Sequence, residues 1–320
     1  MIHTWVSLPW AGPGAHFGAD AAATARRLES LGAAGVVQGD HLFIPGPPAD
    51  DPVSRMAADC LTVLTTVAAH SRRLGIATLV ANVGFHHPLP LLRKFANLAL
   101  VHGGDRVYAG LGAGWSRREF EALGMAMPPH AERLERLEET ARLARALFDR
   151  GWTSQEGGHV TAVDLPLAPA PRDPPRLLLG GGSPALLEIA GRYADHVDLA
   201  PPPKHRSANQ LQRPLLTSID DLVETARTAR AAGRPLTTSV LLTAVVFCDA
   251  RSVRAEEEAI CARLGLPWRP LDDCPYVLVG EPARIAEQVR ERQERIGLEW
   301  MIVPDSAIER FSSDVLTLLG

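Results

Sequence analysis

Apolar positions along the chain follow two alternating periods. Short runs that are apolar almost throughout predict strands covered on both faces. They are IHTWVSL (2–8), Gly35-Val36-Val37, LGIATLVANV (74–83), RVYAGLG (106–112), RLLLGG (176–181), TTSVLLTAVVF (237–247) and EWMIVP (299–304), and a more polar strand is expected over Asp195–Leu199. Between them lie stretches with three- and four-residue apolar spacing. His130–Asp149 is the clearest, with Leu134, Leu137, Ala141, Ala144 and Phe148 on one face and arginines and glutamates on the others. Helices are also predicted over Asp20–Leu31, Ser54–Ser71, 218–232 and Glu281–Ile296, and from Pro88 onward.

Local punctuation agrees with these limits. Gly32, Gly151 and Gly297 follow predicted helices, and Pro88 suits a first helical turn, where its missing N–H would have no partner. Ser183-Pro184 reads as N-cap and first-turn proline. Residues 151–173, rich in proline and glycine, predict a loop with a short hairpin. Strand and helix alternate about eight times, which predicts a (β/α)8 TIM barrel with loop insertions at its C-terminal face. A doubly wound open sheet is the alternative. No repeat or linker divides the chain, so residues 1–320 are expected to form a single domain.

Composition narrows the functional classes. At 46% hydrophobic and 22% charged residues, with a net charge of −4, the chain lacks the basic surface of nucleic-acid or membrane-surface binders. The start, MIHTWVSLPWAGPG, has no signal-peptide pattern, and no apolar run is long enough to span a bilayer. Cys60, Cys248, Cys261 and Cys274 form no C-x-x-C pair, so idle thiols in a reducing cytoplasm are expected.

Candidate chemistry collects where barrel strands end. RVYAGLGAGWSRREF (106–120) spaces its glycines G-x-G-x-G and puts Trp115 where a dinucleotide fingerprint needs glycine, so that reading fails. In a barrel, Gly112, Ala113, Gly114 and Trp115 follow the fourth strand, and Gly180, Gly181, Gly182 and Ser183 follow the fifth. Glycine backbones and a helix N-terminus favour a phosphate there. Asp40-His41 after the second strand is the acid/base candidate, because histidine titrates near neutral pH and a neighbouring carboxylate can orient it. His86-His87 lacks metal-ligand spacing, so no metal is expected. Loops 43–53 and 200–217 are expected to shape the substrate pocket.

Taken together, these motifs resemble the luciferase-like flavin oxidoreductases. The resemblance rests on GDHL (39–42), TLV (78–80), FHHP (85–88), GGDRVYAGLGAGWSRREFEALG (103–124), PPRLLLGGGSPALLEIAGRYAD (174–195) and YVLVGEPARIAEQVRERQERIGLEWMIV (276–303). The long central motif, with Trp115 and Glu119, is the most specific. The resemblance implies a pocket for the deazaflavin F420 or, alternatively, FMN, lined by residues 112–115, with the phosphate at residues 180–183. It also implies a non-prolyl cis peptide near Leu79-Val80, a bulge behind the cofactor ring. The pattern is most similar to the actinobacterial branch that uses F420. That branch usually reads L-A-N-D-F-R-H-P where this chain has Asn82, Gly84 and His86. The family's sugar-phosphate dehydrogenases place a catalytic Glu where Trp115 stands, which argues against sugar-phosphate oxidation.

The implied activity is F420-dependent hydride transfer to or from a small organic substrate, with His41, oriented by Asp40, moving the proton. An FMN-dependent monooxygenase using oxygen is the alternative, and a non-catalytic flavin-fold protein the third reading. The expected partners are a small-molecule substrate, a second copy of the chain in a homodimer, and a flavin or F420 reductase.

Overall fold

Eight parallel strands close into a barrel. They are β1 (His3–Ser7), β2 (Gly35–Gln38), β3 (Gly75–Thr78), β4 (Val107–Gly112), β5 (Arg176–Gly181), β6 (His196–Leu199), β7 (Thr237–Leu241) and β8 (Trp300–Pro304). Each pairs with its sequence neighbours, and β1 meets β8 to complete the ring. The computed structural model describes residues 2–9, 17–43, 57–204, 210–231 and 233–320. Helices pack outside the barrel, so β2, β3, β4 and β6 are buried at every position.

Aromatic rings fill the N-terminal half of the barrel. Trp5 stacks on Trp300 with centroids 4.1 Å apart, and Trp300 stacks on His196 at 3.7 Å. Tyr108 meets both tryptophans edge-on. The Trp5 indole takes space from two adjoining strands: a Cβ on Gly35 would lie 2.5 Å from it, and one on Gly75 2.3 Å. This layer is the floor beneath the site. Two residues along β6 from His196 sits Asp198, which accepts from the Ser239 hydroxyl at 2.7 Å and pairs with no cation among the described residues.

The G-x-G-x-G run of β4 has a packing explanation. Its alternate glycines face alternate residues from the end of β3 into the segment that follows. A Cβ on Gly110 would lie 1.7 Å from the Thr78 carbonyl oxygen, one on Gly112 2.3 Å from Val80, and one on Gly114 2.5 Å from the Asn82 side chain. Gly114 also has φ +74°, a left-handed conformation that glycine adopts freely. Thr78 tightens the seam, its hydroxyl donating to Gly110 O at 2.7 Å and accepting from Gly110 N at 3.1 Å. The Leu79–Val80 peptide is cis, at the position the resemblance implied, so the run expected over 74–83 bends. Beyond the bend, Ala81–Asn82 re-pairs with Leu111–Gly112.

Two more expectations change in detail. Residues 237–247 do not form one strand. Leu242 N–H makes the last bond to β8, at Ile302 O, and Thr243 N–H turns to Tyr276 O. Ala244–Phe247 then pairs with Val277–Gly280 as a separate parallel pair. The helix expected over Ser54–Ser71 spans Cys60–Ala69, capped by Asp59, whose carboxylate accepts from Thr62 N; residues 54–56 lie outside the described part. The hairpin expected within 151–173 is present as Trp152–Gln155 against Ala162–Pro166. Among the described residues no helix is long and apolar enough to cross a membrane.

Two measurements test this packing. Gly110→Ala should lower stability by about 3 kcal/mol or more, because its methyl would overlap backbone rather than a yielding side chain. Urea unfolding of the variant beside wild type reads the difference. The second concerns Asp198, whose carboxyl is pushed up to about 7 by burial, against the opposing pull of the Ser239 hydroxyl. Between its ordinary value of 3.8 and 7, the unfolded chain holds fewer protons at this position than the folded one, so stability falls as pH rises. Asp198→Asn should therefore melt higher than wild type at about pH 8, with the gap closing toward about pH 4.

Candidate active site

A cleft with a volume of about 310 Å³ opens over the C-terminal ends of β2 to β6. It brings together every nominated residue: Asp40, His41, Leu79, Val80, Gly112, Ala113, Gly114, Trp115, Gly180, Gly181, Gly182 and Ser183 all line it. Glu119, His130, Arg133, Gln210 and Arg213 also line it, and none of these was nominated from sequence. Of the two loops expected to shape the pocket, residues 44–53 and 205–209 lie outside the described part.

His41 is not oriented by Asp40. Its Nδ1 lies 2.9 Å from Glu119 Oε2, while Glu119 Oε1 accepts from Leu42 N–H at 2.7 Å. Glu119 is only 1% exposed, so both oxygens are committed to the strand-end loop that carries His41. A carboxylate can only accept, so Nδ1 carries the hydrogen in this contact. Glu119 comes from the short helix Arg117–Ala122, which is anchored by buried Phe120. Phe120 fits because residue 84 is glycine, whose Cβ would come 2.8 Å from its ring. The Trp115 indole stands edge-on to His41, with ring centroids 5.6 Å apart.

Asp40 belongs to a second pair. Its Oδ2 lies 2.7 Å from His86 Nε2 and accepts from Asn82 N–H at 2.9 Å. His86, which lacks metal-ligand spacing in the sequence, thus has a carboxylate partner. Its carbonyl accepts from Arg136, which also donates to Val83 O. Asp40 therefore braces the bend after β3 while its neighbour faces Glu119.

At the other end of the cleft, Val80 fills the room left by two glycines. A Cβ on Gly180 would lie 2.9 Å from it, as Gly112's would from the opposite side at 2.3 Å. Gly182 meets the Ala200 carbonyl in the same way, at 2.1 Å, and a side chain on Gly181 would run into Leu186. These glycines thus first permit close packing. The anion-attracting feature beside them is the start of the helix Pro184–Tyr193, where Ser183 is the N-cap and its hydroxyl accepts from Leu186 N. The N–H groups of Gly182, Ser183 and Ala185 meet no acceptor among the described residues. Gly182 and Ser183 line the cleft, so donors and a helix dipole stand at its edge.

Two arginines add positive charge. Arg133 donates to the carbonyls of Pro128, Ala113 and Gly114, locking the turn after β4. Burial and the nearby Arg133 charge lower the pKa of His130, which favours its neutral form. Arg213 donates from Nη1 to Gln210 Oε1, and its Nε is buried with no acceptor.

Residues 4–301 match the family model described as luciferase-like monooxygenase. A curated relative, F420-dependent glucose-6-phosphate dehydrogenase of Kribbella flavida, is 30% identical over 174 residues, covering 53% of this chain and 49% of the relative. The chain thus spans about half the length of the curated relatives it matches, or somewhat less. Among solved structures, a riboflavin lyase with modified FMN and riboflavin superposes with a TM-score of 0.77 at 14% identity, covering 100% of this chain and 91% of that one. A coenzyme F420-dependent tetrahydromethanopterin reductase from Methanopyrus kandleri gives 0.73 at 15% identity, covering 100% and 99%. At these identities the structures establish the shared fold.

The Glu119 geometry makes a stability prediction. Glu119→Ala removes the acceptor of the Leu42 N–H and the partner of His41, and should cost roughly 2–3 kcal/mol in urea unfolding. Glu119→Gln keeps an acceptor oxygen and should cost less than half as much.

Proposed function

This chain belongs to the luciferase-like monooxygenase family, and on that premise we propose that it is an F420-dependent oxidoreductase. It moves a hydride between the deazaflavin and a small organic substrate. The observation that carries this reading is the two-ended cleft, with free helix N-terminal donors at one end and a carboxylate-bound histidine at the other. The F420 dependence named for curated relatives about 30% identical supports the choice of coenzyme.

The residues present fit such a coenzyme. Gly182, Ser183 and Ala185 would hold its phosphate through N–H groups that have no other acceptor here. Val80, seated in the space left by Gly112 and Gly180, would support one face of the ring. When bound, the deazaflavin supplies a hydride donor or acceptor that reacts poorly with oxygen. The chain contributes the matching proton. Glu119 holds His41 Nδ1–H, so Nε2 gives or takes a proton at the substrate atom next to the one that exchanges hydride. Trp115 occupies a position where the resemblance places a catalytic Glu in sugar-phosphate dehydrogenases. That argues against sugar-phosphate oxidation and leaves an electrophilic C=C, C=N or C=O as the group that would exchange the hydride. We place the enzyme in the cytoplasm as a homodimer supplied by a separate reductase.

Absorbance titration tests the coenzyme. F420 should bind at micromolar concentration or tighter, and FMN more weakly; tight FMN binding with substrate-dependent oxygen uptake would replace this reading with the monooxygenase. His41→Ala should lower single-turnover rates by roughly 10²–10⁴ while the coenzyme still binds. Turnover within a few-fold of wild type would remove His41 from the chemistry.

A further inference from the structure

Among the described residues, the two carboxylates lining the cleft each meet a histidine, and neither lining arginine meets a carboxylate. Asp40 lies against His86 and Glu119 against His41. Arg133 is engaged by three backbone carbonyls. Arg213 has no carboxylate within 4.0 Å among the described residues. Its one hydrogen bond goes to a neutral side chain, Gln210, which lines the same cleft. Its Nε is enclosed without an acceptor. A guanidinium has five donors in a planar fork, and burying such a donor unpaired carries a desolvation cost.

The backbone that carries this cation is fixed in place. Thr217 Oγ1 donates to Arg213 O at 2.9 Å, and the Cys274 thiol to Pro214 O at 3.3 Å. Gln212 Nε2 donates to Leu264 O at 2.8 Å, and Leu215 is fully buried. A held cation with spare donors and no carboxylate partner among the described residues, facing a cleft, is suited to a planar or tetrahedral oxyanion.

We infer that Arg213 is an oxyanion anchor of the cleft, additional to the helix N-terminus at Ser183. The group it takes is a carboxylate or phosphate, carried either by the substrate or by an acidic tail of the coenzyme. This rests on the proposed function only for the identity of the ligand. The anchor itself follows from the charge pattern. If the group is the substrate's, the enzyme acts on organic acids or phosphate esters rather than on neutral compounds.

The test is calorimetric titration with inorganic phosphate and with acetate at low ionic strength, using free and F420-saturated protein. Wild type, Arg213→Ala and Arg213→Lys are compared, with circular dichroism and melting to confirm folding. Arg213→Ala should weaken phosphate binding about tenfold or more, and Arg213→Lys should fall between, keeping the charge but losing the fork. Retention of this Arg213-dependent binding after F420 saturation assigns the anchor to the substrate. Its loss on saturation, with weaker F420 binding in Arg213→Ala, assigns it to the coenzyme. Equal phosphate affinity in wild type and a folded Arg213→Ala overturns the proposal. Failure of F420 to bind at all would count against the proposed function alone, because the free-protein titration would still read the anchor.

Discussion

The site depends on how closely β4 approaches the segment after β3. Glycines at 110, 112 and 114 let Thr78, Val80 and Asn82 lie against the β4 backbone, at separations that any Cβ would forbid. That contact sets the bend, and the bend presents the Asn82 N–H to Asp40, which in turn holds His86. The chain then reaches Gly84, whose missing side chain admits Phe120 and so seats the helix bearing Glu119 against His41. The proton-handling groups are thus placed through glycines that touch no reacting atom.

Much of this was legible in the sequence. The barrel followed from alternating periods, and helix limits followed from residues such as Gly151, Ser183 and Pro88, whose effects are local. The G-x-G-x-G run was visible, and so was its failure as a dinucleotide fingerprint. Its packing role was not, because a glycine's neighbours across a sheet leave no mark beside it in the chain.

The pairing of the acids was the main thing hidden. Asp40 stands next to His41 in sequence, yet at the end of a strand adjacent side chains point to different sides. His41 instead meets Glu119, 78 residues away, and Asp40 meets His86, 46 away. The one available signal for Glu119 was an acidic residue inside an otherwise specific motif. The break at Leu242-Thr243 was hidden for a similar reason. Residues 237–247 are uniformly strand-like, and only the competing partners Ile302 and Tyr276 decide where the ladder changes hands.

The aromatic floor also bears on when the fold can form. Trp5, on the first strand, stacks against Trp300, on the last, and its ring occupies space that Gly35 and Gly75 leave open. Until β8 is present, that indole lacks its stacking partner, and the room made for it has one open side. The barrel's interior is therefore finished by contacts between residues near opposite ends of the sequence, the arrangement that slows folding most. During synthesis, β1 to β7 would wait on a nascent chain with an unfinished core, and β8 would complete the ring only after its release from the ribosome's exit channel.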